Sequence, residues 1–333
     1  MSGSPSRSVV LLAAVAALGA AVPAHAQQVT APVPPIAGRW DLRVTKADGS
    51  VVPSWLEVTR SGYTAIVGRF VHFDGSARPI GHVEWADGTM RFTIPRQWEE
   101  TQAGEIRVEG RLEGEGLRGT IVMPSGERRQ WTGTRAPSLR RAEAPRWGAP
   151  IPLFNGRDLS GWTTQGGGES KWVARGGVLA NTASGANLMT TRTFDDFKLS
   201  LEFRVPEKGN SGVYLRGRHE VQVEDSGTDP ELTSLNVGGV YGFLTPSENA
   251  SRRPGEWQRF DITLVGRRVT VVLNGRTVIA DQVIPGITGG AIDSDEGAPG
   301  PILLQGDHTA AEFRNIRLTP ALPTATGAAP ARK

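Results

Sequence analysis

Apolar residues fall at every second position through most of this chain, and no stretch sustains a helical period. Phe197, Leu199, Leu201, Phe203 and Val205 alternate with polar residues. Val269, Val271 and Leu273 lead into Asn274-Gly275, a strong hairpin-turn signal, and Val278 continues beyond it. Residues 302–305 and 313–318 read as closing strands. Upstream, a strand pattern opens at 38–42 and recurs at 55–58, 63–71, 82–85, 90–94, 105–112, 117–123 and 130–134. Turn residues at 86–88, 113–116 and 125–126 punctuate it. Residues 37–135 therefore predict a small antiparallel β-barrel-like domain, with Trp40 plugging its core. Residues 136–150 carry three prolines and no strand pattern, which marks a linker. From 151 to about 320, many strands of similar length joined by Gly-rich turns predict two packed antiparallel sheets, a jelly-roll β-sandwich. The fold class is all-β.

One hairpin stands out. In residues 209–225, Val213 and Leu215 alternate with Tyr214 and Arg216, and Val221 and Val223 alternate with Glu220, Gln222 and Glu224. One face is apolar and the other polar. A two-residue turn would set Leu215 against Glu220. A three-residue loop at 217–219 pairs Arg216 with Glu220 and Tyr214 with Gln222, keeping the valines together, and is the expected register. An arginine beside acids and an amide suits a polyhydroxylated or carbonyl ligand. An ordinary solvated sheet face would carry the same pattern.

Composition narrows the function classes. The chain has 333 residues, with 37 Lys and Arg against 34 Asp and Glu. The charges are interspersed, with no continuous basic stripe, so nucleic acid is not an expected partner. Residues 1–26 read as a signal peptide. Arg7 starts it, 9–22 is apolar but too short to span a bilayer, and Ala24-His25-Ala26 is a small-x-small cleavage signal. Cleavage is expected after Ala26. A Pro-rich, unstructured exit at 27–36 and a frayed tail at 321–333 complete the boundaries. No other stretch is apolar enough for a membrane span. There is no cysteine, which removes disulfides, Cys-ligated metals and a lipid-anchoring Cys. A periplasmic or secreted location is expected.

Residues 153–162, Leu-Phe-Asn-Gly-Arg-Asp-Leu-Ser-Gly-Trp, are followed in order by Trp172-Val173 with Gly177 and Leu179, and by Asp196-Phe197-Lys198-Leu199 with Glu202-Phe203-Arg204. Next come Asn210 to Gly217, Glu220 to Asp225, Gly239 to Gly242, Gly255-Glu256-Trp257-Gln258, Leu304 to His308 and Phe313 to Ile316. This ordered set over about 151–320 resembles the 3-keto-disaccharide hydrolase family, also described as 3-keto-glucoside 1,2-lyases and 3-keto-2-hydroxyglucal hydratases. Thr309 departs from that pattern, which has glycine after the histidine. The resemblance implies a concanavalin-like β-sandwich with a sugar site on one sheet. It does not cover 38–135.

The chemistry it implies is specific. A ketone at C3 acidifies the hydrogen at C2. A base removes that proton, the enolate expels the C1 substituent, and water adds to complete a net hydrolysis. The candidate bases are Glu220 and His308. Arg216 suits the developing oxyanion, and Asp225 or Glu224 the proton donor. Gln222, Gln305 and Asn210 are candidate hydroxyl partners, and Tyr214, Tyr241 or Trp257 candidate stacking surfaces. Glu220 with His308 is also the pair that would hold a divalent cation polarising the ketone. The alternatives are a non-catalytic carbohydrate-binding module, a structural β protein and a two-carboxylate glycosidase. For the last, Glu220 and Glu224 on one strand would stand about 13–14 Å apart between Cα atoms, too far for retaining chemistry.

Overall fold

The computed structural model describes residues 32–72, 75–95, 103–166, 168–227 and 231–323. The segment 1–26 expected to be a signal peptide, the start of the exit and the end of the tail lie outside them. Every regular element described is a strand.

The first sheet has nine antiparallel strands. In spatial order they are Arg78–Ile80, Ala65–Val71, Val51–Ser61, Gly38–Thr45, Arg128–Arg135, Gly116–Val122, Glu105–Glu113, Thr89–Pro95 and Glu84–Ala86. It curls until Arg78–Ile80 touches Thr89–Pro95, where the Arg78 guanidinium donates to Pro95 O (3.2 Å). The alternating apolar residues meet inside. Trp40, Leu42, Leu56, Phe70, Met90, Ile106 and Trp131 form one core cluster. Trp131 needs room, and Gly110 and Gly119 supply it: a Cβ at either would collide with the indole. The exit segment is packed from residue 34 on, contrary to expectation. Ile36 is fully buried and its carbonyl accepts the Trp40 indole N–H (2.8 Å), so an apolar contact and a buried donor hold it.

The second half is a two-sheet sandwich. The larger sheet runs Trp172–Arg175, Val178–Asn181, Ala311–Pro320, Phe197–Arg204, Gln258–Val265, Arg268–Leu273 and Arg276–Val283, with Ile151–Pro152 also pairing on Ala311–Pro320. The smaller sheet runs Trp162–Thr164, Leu188–Thr190, Leu303–Leu304, Asn210–Leu215 and His219–Glu224. Between them Val213, Leu215, Val221 and Val223 belong to one core with Leu199, Leu201, Phe203, Phe260 and Phe313. Each such side chain contributes roughly 1.5–3 kcal/mol by leaving water. Asn274 and Gly275 both have positive φ (51° and 84°), as the tight turn between Arg268–Leu273 and Arg276–Val283 requires.

The linker is docked along its length. Arg141 bridges Asp195 and Asp196 (both 2.6 Å), and the Arg267 guanidinium donates to Pro137 O (2.9 Å). Leu322 N–H donates to Arg146 O (2.7 Å), so the first residues of the tail are held as well.

Candidate active site

The polar hairpin forms, but with a different register. Leu215 pairs with His219, Tyr214 with Glu220, Gly212 with Gln222 and Asn210 with Glu224. The loop is 216–218 rather than 217–219. The reason is local: Arg216 and Gly217 both take positive φ (55° and 66°), so the chain turns one residue earlier than the hydrophobic pattern indicates. The faces are unchanged because the shift moves the pairing by an even number of positions.

That turn removes Arg216 from the sheet face. Its guanidinium is fully buried, donates to Gly266 O, and lies 3.4 Å from an Asp195 carboxyl oxygen. It does not line the pocket that holds Glu220 and His308. Asp225 does not reach that pocket either. Its two carboxyl oxygens accept the Lys208 and Gly227 backbone N–H groups (2.9 and 3.1 Å), so it caps the loops at the hairpin's open end. Glu224 accepts from Ser226 Oγ (2.7 Å) and Asn236 Nδ2 (3.3 Å) and does not line the pocket. The Glu220–Glu224 pair of a two-carboxylate glycosidase is therefore not assembled. Trp257 is elsewhere, with the Arg314 guanidinium 3.9 Å and that of Arg204 4.7 Å from its ring centre.

The other candidates converge. Asn210, Tyr214, Glu220, Gln222, Tyr241, Gln305 and His308 line one cavity of about 110 Å³. Sequence reasoning missed Asn187, Asp307, Gly289 and Gly290, and missed Gly75 from the first sheet. Glycines in turns and an asparagine outside the hairpin carry no signal of their own. Asp307, next to a candidate histidine, carried one.

Glu220 lies at the floor of this cavity. Its carboxyl rests on Gly212, where a Cβ would collide with it. Burial pushes its pKa up to about 8, only partly offset by the Tyr214 hydrogen bond. The Tyr214 hydroxyl lies 2.9 Å from Glu220 Oε2 and 3.0 Å from Gly289 O. A phenol has one proton, and a backbone carbonyl can only accept. Both contacts are therefore hydrogen bonds at once when Glu220 is protonated, its O–H donating to the phenol oxygen and the phenol O–H donating to Gly289 O. Ionised Glu220 instead draws the phenol proton away from Gly289.

His308 sits on the loop after Leu303–Leu304, 43 % exposed. Its Nδ1 is 2.7 Å from Asp307 Oδ1, and that hydrogen bond raises its pKa. The contact commits Nδ1, so Nε2 is the ring atom left for a ligand. Thr309, the departure from the family pattern, ties this loop down. Its Oγ1 accepts Asn210 N–H (2.8 Å) and approaches Asn210 O (3.0 Å). Asn187 adds a second tie through Gly306 N–H (2.7 Å).

The amides give the cavity its polarity. The side-chain oxygens of Asn210, Gln222 and Gln305 are buried without a hydrogen-bond partner. Gln222 Nε2 donates to Leu235 O (3.1 Å), which fixes its amide orientation. Orphaned buried acceptors in a cavity call for donors from a ligand, and sugar hydroxyls supply them. Among the described residues no group of three or more His, Cys, Asp or Glu side chains is arranged to hold a metal ion.

The chain is 27% identical over 90 residues to a 3-keto-disaccharide hydrolase from Bacteroides thetaiotaomicron, an overlap of 24% of this chain and 31% of that protein. The chain thus spans about a third of that curated relative. A crystal structure of a candidate glycosyl hydrolase from Parabacteroides distasonis is 34% identical, with 51% of this chain and 82% of that one covered and a TM-score of 0.46. A second from the same organism is 19% identical, covering 52% and 94%, with a TM-score of 0.45. Residues 149–319 match the family described as the 3-keto-alpha-glucoside-1,2-lyase-like domain, and the chain belongs to that family.

Proposed function

We propose that this protein is an exported carbohydrate hydrolase that cleaves 3-keto-disaccharides by proton abstraction at C2, elimination at C1 and addition of water. Family membership supports the substrate class. The observation that carries the chemistry is Glu220, buried in a small amide-lined cavity with its pKa raised to about 8. A base near that value is ionised in about one molecule in ten at pH 7 and is strong enough to take a proton beside a ketone. Glu220 removes the C2 hydrogen. The enolate forms while Asn210 and Gln305 offer amide N–H donors from the cavity wall. His308, whose protonated form the Asp307 hydrogen bond favours, stands at the exposed edge and gives a proton to the departing C1 oxygen. Water then adds its oxygen to C1 and passes its proton to His308, while the proton held by Glu220 returns to C2. Tyr214 follows each change of charge on Glu220 by turning its O–H between the carboxyl and Gly289 O. Export rests on the segment 1–26.

The test is turnover of a 3-keto-disaccharide, followed by release of the second sugar, with the unoxidised disaccharide as control. Turnover of the keto sugar alone, lost in Glu220→Gln, is the expected result. Equal hydrolysis of both sugars overturns the elimination route. Binding without turnover of either selects a carbohydrate-binding module.

A further inference from the structure

The first sheet lies outside the matched family region, yet it reaches the cavity. Gly75, in the turn between Ala65–Val71 and Arg78–Ile80, is buried and lines the pocket with Glu220 and His308. The turn is wedged between two glycine positions of the sandwich. At Gly289 a Cβ would collide with Gly75 O and come within 2.8 Å of Gly75 N. At Gly242 it would come within 2.7 Å of Ala77 N. Gly289 is also the residue whose carbonyl faces the Tyr214 hydroxyl. Contact is therefore continuous from Gly75 through Gly289 and Tyr214 to Glu220.

The halves are joined firmly enough for this to matter. Trp55 and Val71 of the first sheet share an apolar cluster with Ile287 and Ala291, against which Ala77 and Phe243 pack. Trp55 and Phe243 meet edge to face with ring centres 5.4 Å apart. A Cβ on Gly286 would collide with the Trp55 indole. Polar contacts flank the cluster: Ser294 Oγ donates to Leu42 O, and the Arg39 guanidinium to Pro285 O (3.2 Å). Buried apolar contact with paired polar groups is the signature of a fixed junction rather than a tethered module.

We infer that the N-terminal sheet is a specificity element of the sugar site, its 75–77 turn forming the wall that limits what can stand beside the reacting ring. This rests on the sugar-site reading above and deepens it. The cavity admits a compact group on that side because backbone, not side chain, meets backbone there. Moving the turn outward enlarges the site on one side and leaves the carboxyl, imidazole and amides in place.

Gly289→Ala in the full chain tests this. Residue 289 has no positive φ to oppose an alanine, and the new methyl is directed at the 75–77 turn. Turnover is compared for methyl 3-keto-glucoside and a 3-keto-disaccharide. The expected result is a shift of about tenfold in the ratio of their kcat/KM values, in favour of the bulkier substrate. A second measurement leaves residue 289 unaltered and uses the full-length Glu220→Gln protein, which does not consume the sugar: saturating methyl 3-keto-glucoside slows amide exchange at 75–77 as well as at 210–222 and 303–308. An unchanged ratio, or protection of the sandwich segments without the turn, overturns the wall while leaving the sugar site standing. Failure of either keto sugar to bind overturns both.

Discussion

Tyr214 and Glu220 are direct cross-strand partners, and their oxygens lie 2.9 Å apart at the floor of the cavity. The phenol is fully buried, and burial followed by the neighbouring carboxyl raises its pKa well above the usual value. It remains a phenol at any working pH and acts on Glu220 only by donating or accepting a hydrogen bond. Tyr214→Phe leaves Glu220 with an unpaired buried carboxyl. The expected outcome is a rise in the pKa that governs turnover, with kcat reduced about tenfold, read from a pH–rate profile.

Removing the base is more severe. Glu220→Gln retains shape and hydrogen bonding but cannot take a proton. We expect kcat to fall by about 10²–10⁴-fold while the melting temperature holds or rises, because the buried carboxyl is replaced by a neutral amide. Steady-state kinetics and a thermal melt on the same sample check it.

Gly212 carries the Glu220 carboxyl on its bare α-carbon. Gly212→Ala must displace that carboxyl. A cost of about 1–3 kcal/mol in stability is expected, with a loss of turnover larger than the stability loss explains. A circular-dichroism melt beside the kinetic assay separates the two. Normal kinetics in this variant would show that the carboxyl's position does not matter.

Arg216 is a stabilising residue. Its partners are Gly266 O, Asp195 and Glu296 O, none of them in the cavity. Arg216→Gln leaves buried groups unpaired and is expected to cost about 2–4 kcal/mol in urea unfolding, with the pH–rate profile of the folded fraction unchanged.

The junction between the halves titrates. Asp41 is pushed up to about 8, first by burial and then by the charge of Glu296, whose carboxyl is held by Arg267. In the unfolded chain Asp41 returns to 3.8. A group whose folded pKa is the higher of the two contributes stability that is complete below about 4 and is lost as pH rises through about 8. Glu220 adds a slope of the same sign. The melting temperature is therefore expected to fall by several degrees between pH 5 and pH 8.5. Asp41→Asn, which keeps a donor toward Glu296, flattens part of that fall. An equal slope in that variant would assign the effect to other groups.

Alternation of apolar residues made the all-β class and the two-sheet sandwich legible, since period two is imprinted by each strand's buried face. The cavity's polar residues were legible for the same reason: Tyr214, Glu220 and Gln222 share a face with either three-residue loop, 217–219 or 216–218. Arg216 has that parity too and still faces elsewhere. A positive φ at a non-glycine residue overrides strand alternation, and nothing in the residue type announces it. Asp225 was obscured by a different competition, because a carboxylate beside a turn glycine satisfies backbone N–H groups as readily as it serves a substrate. Gly75, Gly289 and Gly290 were invisible because their role is to lack a side chain where two distant segments touch.

The seam at Trp55 has a consequence for how the molecule is made. Leu42 and Ser294, which flank it, are 252 positions apart along the chain. An emerging N-terminal sheet must wait for almost the whole of the sandwich before its indole is covered. Contacts of such long range come late in folding because the loop they close is costly in entropy. The cavity, which borrows a wall from that sheet, is then among the last features to be completed, so a chain arrested before the seam closes would be folded in both halves and still inactive.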